Sequence, residues 1–371
     1  MPMIKKTKIL IMISSIDIGG AELLVYNICK GLLERNTNFD IHLLTFFKGN
    51  TLQKEFEKIG VTIKSLGLPQ KSSFLMIFKK IILPFIYILK NRPHVVHTHL
   101  LDTDRYGLIA AFFACVRKRY STIHNIEQLE GSGLKLTRKI TSYFATKILF
   151  VSECTRQHYT SKNIYPFKKS MVIYNAPSFT VDRVISPRKS INILKTINIV
   201  NIGRLNIQKG QLYLLRALTK MQQSAYKFQL NIYGGDYLSY GSILKDEVVK
   251  LHLDNVTFHG VSRNIKETLE SADILVASSL FEGFHMVIVE AMTMGVPVIA
   301  TDIPPHREIL SPIKNYASFV PAENPDAIAE AILFLIDNPD YYTSLSENEI
   351  RRADDFSQEK LIQNYLTLYS N

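Results

Sequence analysis

A chain of 371 residues, 46% of them hydrophobic and with a mean hydropathy of +0.04, is long enough for two globular domains and too apolar for a disordered segment. Residues 1–190 hold 29 Lys and Arg against 12 Asp and Glu, a balance of +17. Residues 191–371 hold 15 against 21, a balance of −6. The basic half points to an anionic partner, whether nucleic acid, an anionic membrane surface or a phosphorylated acceptor.

The first apolar run, Ile9–Ile13, has the length of a strand and turns polar at Ser14 and Ser15. It lacks the length and cleavage site of a signal peptide, and no uncharged apolar run of about 18 residues follows, so no spanning helix is expected. Cys29, Cys115 and Cys154 have neither disulfide-framework nor metal-ligand spacing, and read as reduced, partly buried thiols in the cytoplasm.

After the glycine turn at 17–20 the chain alternates. Helix is expected at 21–34, 52–59, 105–117 and 136–146, and strand at 40–46, 61–65, 94–97, 121–124 and 147–152. Residues 74–89 (FLMIFKKIILPFIYIL) form the most apolar stretch and read first as a core-facing helix. The other reading is a helix in the membrane interface, with Lys79 and Lys80 snorkelling to headgroups. Basic positions at 117–119, Lys135, Arg138, Lys139, Lys168 and Lys169 would add attraction to an anionic leaflet. Residues 177–195, with two prolines and several charges, read as a linker. The alternation restarts with strands at 197–202, 228–233, 256–259, 273–276 and 298–301 and helices at 210–221, 238–250 and 286–294. Strands alternating with helices give a parallel α/β sheet twice over, with the ligand site at the carboxyl ends of the strands.

Three segments carry chemistry. In EGFHMVIVEAM, Glu282 and Glu290 stand eight positions apart, a little over two helical turns, so both carboxylates can share one face. Gly283 allows close backbone approach, and the helix start favours an anion such as a diphosphate. A carboxylate further in can accept hydrogen bonds from a ribose diol. The competing reading is an acidic helix start with Glu290 exposed to solvent. In NIGRLNIQKG, Arg204 and Lys209 follow a strand and can both reach one diphosphate, although loop cations are often merely solvated. In GGAE, Gly19 and Gly20 open the first helix, where amides can face a phosphate or simply form a tight turn. No G-x-G-x-x-G occurs, and the second strand ends in Thr45 and Phe46 rather than an acid, which argues against a dinucleotide-binding domain.

GGAE, GRLNIQKG and EGFHMVIVEAM followed by GVPVIATD, in this order, resemble the family 4 glycosyltransferases over nearly the whole chain. The resemblance implies an α/β, GT-B architecture: two Rossmann-like domains whose parallel sheets face each other across a cleft. Residues 1–180 would bind the acceptor and 191–355 the donor, with a C-terminal helix at about 356–371 packing back on the first domain.

It implies a retaining transfer of a hexose-type sugar from a nucleotide-sugar to a saccharide acceptor, lipid-diphosphate-linked, in surface polysaccharide biosynthesis. The enzyme would be cytoplasmic or peripheral on the inner face of the membrane. Arg204 and Lys209 would hold the donor diphosphate and stabilise its developing charge, with Gly203 beside them. Glu290 would bind ribose, Glu282 the hydroxyls of the transferred sugar, and the backbone of Gly283, Phe284 and His285 would approach phosphates and sugar. Gly20 would bring its amide to the diphosphate across the cleft.

His124 matches a histidine near the reacting carbon, its alternative being a satisfied histidine at a strand end. His97 and His99 read as cleft-lining or structural. No metal and no cofactor is expected. His285 departs from the family, where a smaller residue or Pro is common. Asn175 keeps the family's Asn without the usual Gly and Asp after it. The competing functions are a sugar-nucleotide epimerase of the same fold and a non-catalytic nucleotide-sugar or nucleic-acid binder. The motif pair disfavours the first, and the lack of a nucleic-acid recognition motif the second.

Overall fold

The computed structural model describes every residue except 1–5, 18, 36–37, 71–73, 127–132, 182–183, 238, 263, 314–317 and 371. The start of the basic N-terminal segment, Ile18 of the glycine turn and the first residue of the helix expected at 238–250 therefore lie outside the described residues. The chain divides into one compact unit of Met1–Ser178 with Gln358–Asn371 and a second of Phe179–Ser357.

In the first unit β1 (Thr7–Ile13), α1 (Gly20–Arg35), β2 (Phe39–Phe47), α2 (Gln53–Lys58) and β3 (Thr62–Leu68) lead to α3 (Phe74–Asn91). Then come β4 (Val95–His99), α4 (Leu101–Phe113), β5 (Lys118–Ile123), α5 (Leu134–Phe144), β6 (Lys147–Phe150), α6 (Glu153–Ser161) and β7 (Ser170–Val172). The strands form one parallel sheet in the order β3-β2-β1-β4-β5-β6-β7, so the order reverses between β1 and β4. Alternation along β1 feeds two cores. Ile9, Ile11 and Ile13 pack with Leu24, Ile28 and Leu32 of α1, while Leu10 and Met12 pack with Ile88 of α3 and Tyr106 of α4.

The second unit runs β8 (Ile197–Ile202), α7 (Gln211–Met221), β9 (Phe228–Tyr233), α8 (Tyr240–Lys250), β10 (Val256–Gly260), α9 (Ile265–Glu270) and β11 (Ile274–Ala277). It continues through α10 (Met286–Thr293), β12 (Val298–Thr301), α11 (Pro304–Leu310), β13 (Phe319–Val320), α12 (Pro325–Asp337) and α13 (Pro339–Ala353). Its parallel sheet has the order β10-β9-β8-β11-β12-β13, reversing between β8 and β11. The last helix, α14 (Gln358–Ser370), belongs to the first unit. Its Leu361, Ile362 and Tyr365 join the α1 core, and Glu359 pairs with Arg35.

The segment expected as a linker is anchored rather than free. Arg188 donates to the carbonyls of Leu269 and Glu270 at 3.2 and 3.0 Å, its amide donates to Ser346 Oγ at 2.9 Å, and Ile191 is buried.

The reading of 74–89 as a core-facing helix holds for one face only, where Ile81, Leu83, Phe85 and Tyr87 pack on the core around Ile88. Leu75, Phe78, Ile82, Ile86 and Leu89, at spacings of three and four, form a stripe on α3 that is 47–63% exposed. The buried side of α3 carries Lys80 and Ile88. The Lys80 ammonium lies 3.8 Å from Asp102 and 5.0 and 5.3 Å from the ring centres of Phe47 and Tyr106, so it does not snorkel. Arg138 is likewise no surface cation: it is 3% exposed and paired with Asp104 at 2.7 Å. Cys115 is exposed, not partly buried.

Candidate active site

In an open parallel sheet the crevice at the point where strand order reverses lies at the carboxyl ends of the two strands flanking it. In the second unit those are β8 and β11, and the loops after them carry GRLNIQKG and the glutamates. Asn206 caps the turn at 207–209, its Oδ1 accepting from the Lys209 amide at 3.2 Å. Gly210 follows at φ +63°, and a Cβ there would stand 2.1 Å from the Ser278 carbonyl oxygen, so only glycine lets the two loops meet. Ser278 Oγ donates to the Lys209 carbonyl at 2.9 Å, and the Leu280 amide to that of Gln208 at 2.7 Å. Gly203 leaves room for the Lys209 stem, whose Cε would lie 2.9 Å from a Cβ at that position.

These contacts bring Lys209 and Glu282 together. Lys209 Nζ lies 2.6 Å from Glu282 Oε1, with the two side chains 14% and 9% exposed. Ser279 Oγ donates to the same oxygen at 2.8 Å, and Gln208 Nε2 to Oε2 at 3.3 Å. A carboxylate oriented by three donors keeps lone pairs free for further hydroxyls. Arg204 is exposed and has no ion-pair partner among the described residues.

Gly283, Phe284 and His285 lead into α10. Phe284 is buried with its ring 5.5 Å from Phe356, and His285 is 4% exposed. Glu290 is 3% exposed, which removes the reading of it as a solvated surface acid. The positive end of the α10 dipole faces the loop that holds Glu282.

Sequence reasoning missed what lies behind His285. Its Nδ1 is 2.9 Å from Nε2 of His306, which is fully buried and rests on the Thr301 carbonyl at 2.8 Å. It also missed the orienting roles of Gln208 and Ser279. His306 stands beyond the strand at 298–301, in TDIPPHRE, and its distance along the chain from His285 hid the contact.

The first unit reverses between β1 and β4. Gly20 begins α1 there, and nothing lies within 4 Å of where its Cβ would be, so packing does not require glycine. His124, just past β5, places Nε2 3.0 Å from Nδ1 of His99 at the end of β4. Burial and then the nearby Arg138 push His124 down to about 4, and burial holds His99 well below the usual histidine range. His97 is structural: it bridges Thr122 Oγ1 at 2.8 Å and Tyr369 of α14 at 2.6 Å. Beneath them Asp104 takes hydrogen bonds from Thr98, Ser121 and Arg138, yet burial still raises its carboxyl to about 6. Leu100, beside His99, holds φ +75°, a conformation that costs an L residue energy and that its surroundings impose. Glu282, Arg204 and Lys209 thus share one unit, while Gly20 and His124 belong to the other.

Residues 18–176 match the family described as Glycosyltransferase Family 4, and residues 185–352 that described as Glycosyl transferases group 1. The capsular polysaccharide biosynthesis glycosyltransferase CapH of Staphylococcus aureus is 26% identical over 320 residues, 81% of this chain and 83% of CapH. An uncharacterized glycosyltransferase of Methanocaldococcus jannaschii is 31% identical over 259 residues, 64% of this chain and 65% of that protein. Among solved structures, Anabaena HepE in complex with UDP and glucose superposes with a TM-score of 0.80 at 20% identity, over 98% of this chain and 100% of HepE. With both halves matched and two parallel-sheet units of this order, the chain belongs to the family 4 glycosyltransferases and has the GT-B fold.

Proposed function

We propose that the protein is a retaining glycosyltransferase of surface polysaccharide biosynthesis, with its donor site on the second unit. It moves a hexose-type sugar from a nucleoside-diphosphate sugar to a saccharide acceptor linked through a diphosphate to a lipid. The observation that carries the reading is the Lys209–Glu282 pair at the strand-order reversal, in the same unit as exposed Arg204 and buried Glu290. The names of CapH and of the UDP complex of HepE support it.

Arg204 and Lys209 take the diphosphate and stabilise its charge as the bond from the sugar's anomeric carbon to phosphate breaks. The acceptor oxygen bonds to that carbon from the same face, and its proton passes to the leaving phosphate oxygen. Glu282 accepts sugar hydroxyls and Glu290 the ribose diol. Gly20 and His124, in the first unit, keep the roles that the family resemblance implies for them. The sugar nucleotide is a substrate, and no metal or other cofactor takes part in this scheme.

The first unit supplies the second part of the reading, peripheral docking on an anionic, cytoplasmic bilayer face. The apolar stripe of α3 and the exposed Leu136, Ile140 and Tyr143 of α5 lie on helices joined through α4, which packs against both. Exposed Lys79, Arg117, Lys135, Lys139 and Lys168 flank them. Such a surface matches an interfacial amphipathic face, with basic side chains meeting anionic headgroups. No helix among the described residues is long and apolar enough to cross a membrane.

A thermal-shift series with UDP, GDP, ADP and their sugars tests the donor site. A ligand at about 100 times its dissociation constant adds roughly 2.7 kcal/mol. Glu290→Gln is expected to shrink that shift whatever sugar is attached. No stabilisation by any of these nucleotides would overturn the reading.

A further inference from the structure

His285 and His306 form a directed chain that ends on the catalytic pair. The Thr301 carbonyl can only accept, and the Thr301 hydroxyl proton is already given to the Ser279 carbonyl. Nδ1 of His306, 2.8 Å from the Thr301 carbonyl, therefore carries a proton. Burial holds His306 neutral, pushed down to about 4, so its Nε2 is a bare lone pair. His285 Nδ1, 2.9 Å from that lone pair, must donate to it. His285 is also kept neutral, by burial first and then by Lys209 and His306. Its own Nε2 is then an acceptor, 3.4 Å from Lys209 Nζ. Lys209, Glu282 and Asp302 are the charged groups acting on the two rings. Each ring is thus in the Nδ1–H form, the minority form of neutral histidine in water.

We propose that His306 is a positioning residue: by fixing the His285 proton on Nδ1, it turns the other nitrogen of His285 into an acceptor for Lys209. The ammonium is then held by Glu282 on one side and His285 on the other, which uses two of its three N–H groups. The third is left for a donor phosphate oxygen. A histidine at position 285, unusual for the family, is functional in this account only because His306 sets its tautomer. The phosphate step rests on the donor-site reading given above; the tautomers do not.

Long-range nitrogen–proton correlation spectra of the ligand-free, histidine-labelled protein at pH 7 test the chain directly, with peaks assigned by their loss in His285→Asn and His306→Asn. Both rings are expected neutral with the proton on Nδ1. His306→Asn keeps an N–H for the Thr301 carbonyl, but its only acceptor, Oδ1, sits on a shorter side chain that does not reach His285 as the distal Nε2 does. In this variant His285 should pass to the Nε2–H form. UDP or GDP should bind roughly tenfold more weakly, the loss of one hydrogen bond to a charged group, with uridine or guanosine unchanged. An imidazolium or an Nε2–H ring at His285 in the wild-type protein would overturn the proposal. So would a His306→Asn protein that binds diphosphate normally, or one that loses nucleoside and diphosphate affinity equally. Failure of the wild-type protein to bind any nucleotide would strike the donor-site reading alone, since the spectra still decide the tautomers.

Discussion

Lys209 has two possible duties, neutralising Glu282 and holding a diphosphate, and a double-mutant cycle separates them. Lys209→Met keeps a stem of similar length over Gly203 and removes the charge. It leaves Glu282 with Ser279 and Gln208 but no cation. Stripping one partner from a buried pair costs about 3–5 kcal/mol, and the residual exposures of 14% and 9% place this pair near the lower end. At roughly 2–4 °C per kcal/mol for a unit of this size, Tm should fall by roughly 6–12 °C. Adding Glu282→Gln removes the stranded charge and should restore most of the loss.

Binding should behave differently. A charge-assisted phosphate contact of about 1.5–3 kcal/mol corresponds to a roughly 10–150-fold change in Kd. Titration calorimetry with UDP or GDP should therefore show weak binding by Lys209→Met and by the double variant alike. Glu282→Gln alone should keep its diphosphate affinity. If the double variant regains wild-type affinity for the diphosphate, Lys209 serves only Glu282 and its phosphate role is refuted.

Two further perturbations probe other parts of the molecule. The protein should co-sediment with phosphatidylglycerol vesicles at low salt and dissociate at 1 M, where the Debye length is about 3 Å. Ile82→Asp with Ile86→Asp, both on exposed positions of α3, should abolish that binding without loss of fold, and equal binding by this variant or to neutral vesicles would refute the docking face. Glu349 is fully buried, one oxygen accepting from the Val298 amide at 3.1 Å and the other without a partner among the described residues, and burial raises its carboxyl well above the usual range. A raised carboxyl binds its proton more tightly in the native state, so its contribution is complete below the unfolded value and is lost as pH rises. Glu349→Gln should therefore raise Tm relative to wild type at pH 8, with the gain shrinking towards pH 5; a pH-independent difference would contradict this.

Local signals were strong in this chain. The strand at 197–202, the helix at 286–294 and the turn chemistry of GRLNIQKG follow from short-range periodicity and from glycine and asparagine at positions that need them. The structure places β8 at Ile197–Ile202 and α10 at Met286–Thr293. The position of the loop cations after a strand was enough to bring Arg204 and Lys209 to the strand-order reversal. The short α6 and β7 escaped notice, because nine mixed polar residues and three half-buried ones carry little periodicity.

What the sequence by itself determined, then, is what nearest neighbours along the chain can decide: element type, the order of the two α/β sets, and the motifs at their turns. Facing and pairing were decided only by the tertiary structure. Residues 74–89 are apolar on nearly every side, so composition could not tell which side meets the sheet. Packing against α4 put Lys80 beside Asp102 and the stripe from Leu75 to Leu89 outside. Arg138 looked like any surface cation until the fold laid it on Asp104, 34 residues away. His285 and His306, and His99 and His124, lie 21 and 25 residues apart. They meet because parallel strands bring successive strand ends to one edge of a sheet, where side chains from separate loops can share a proton.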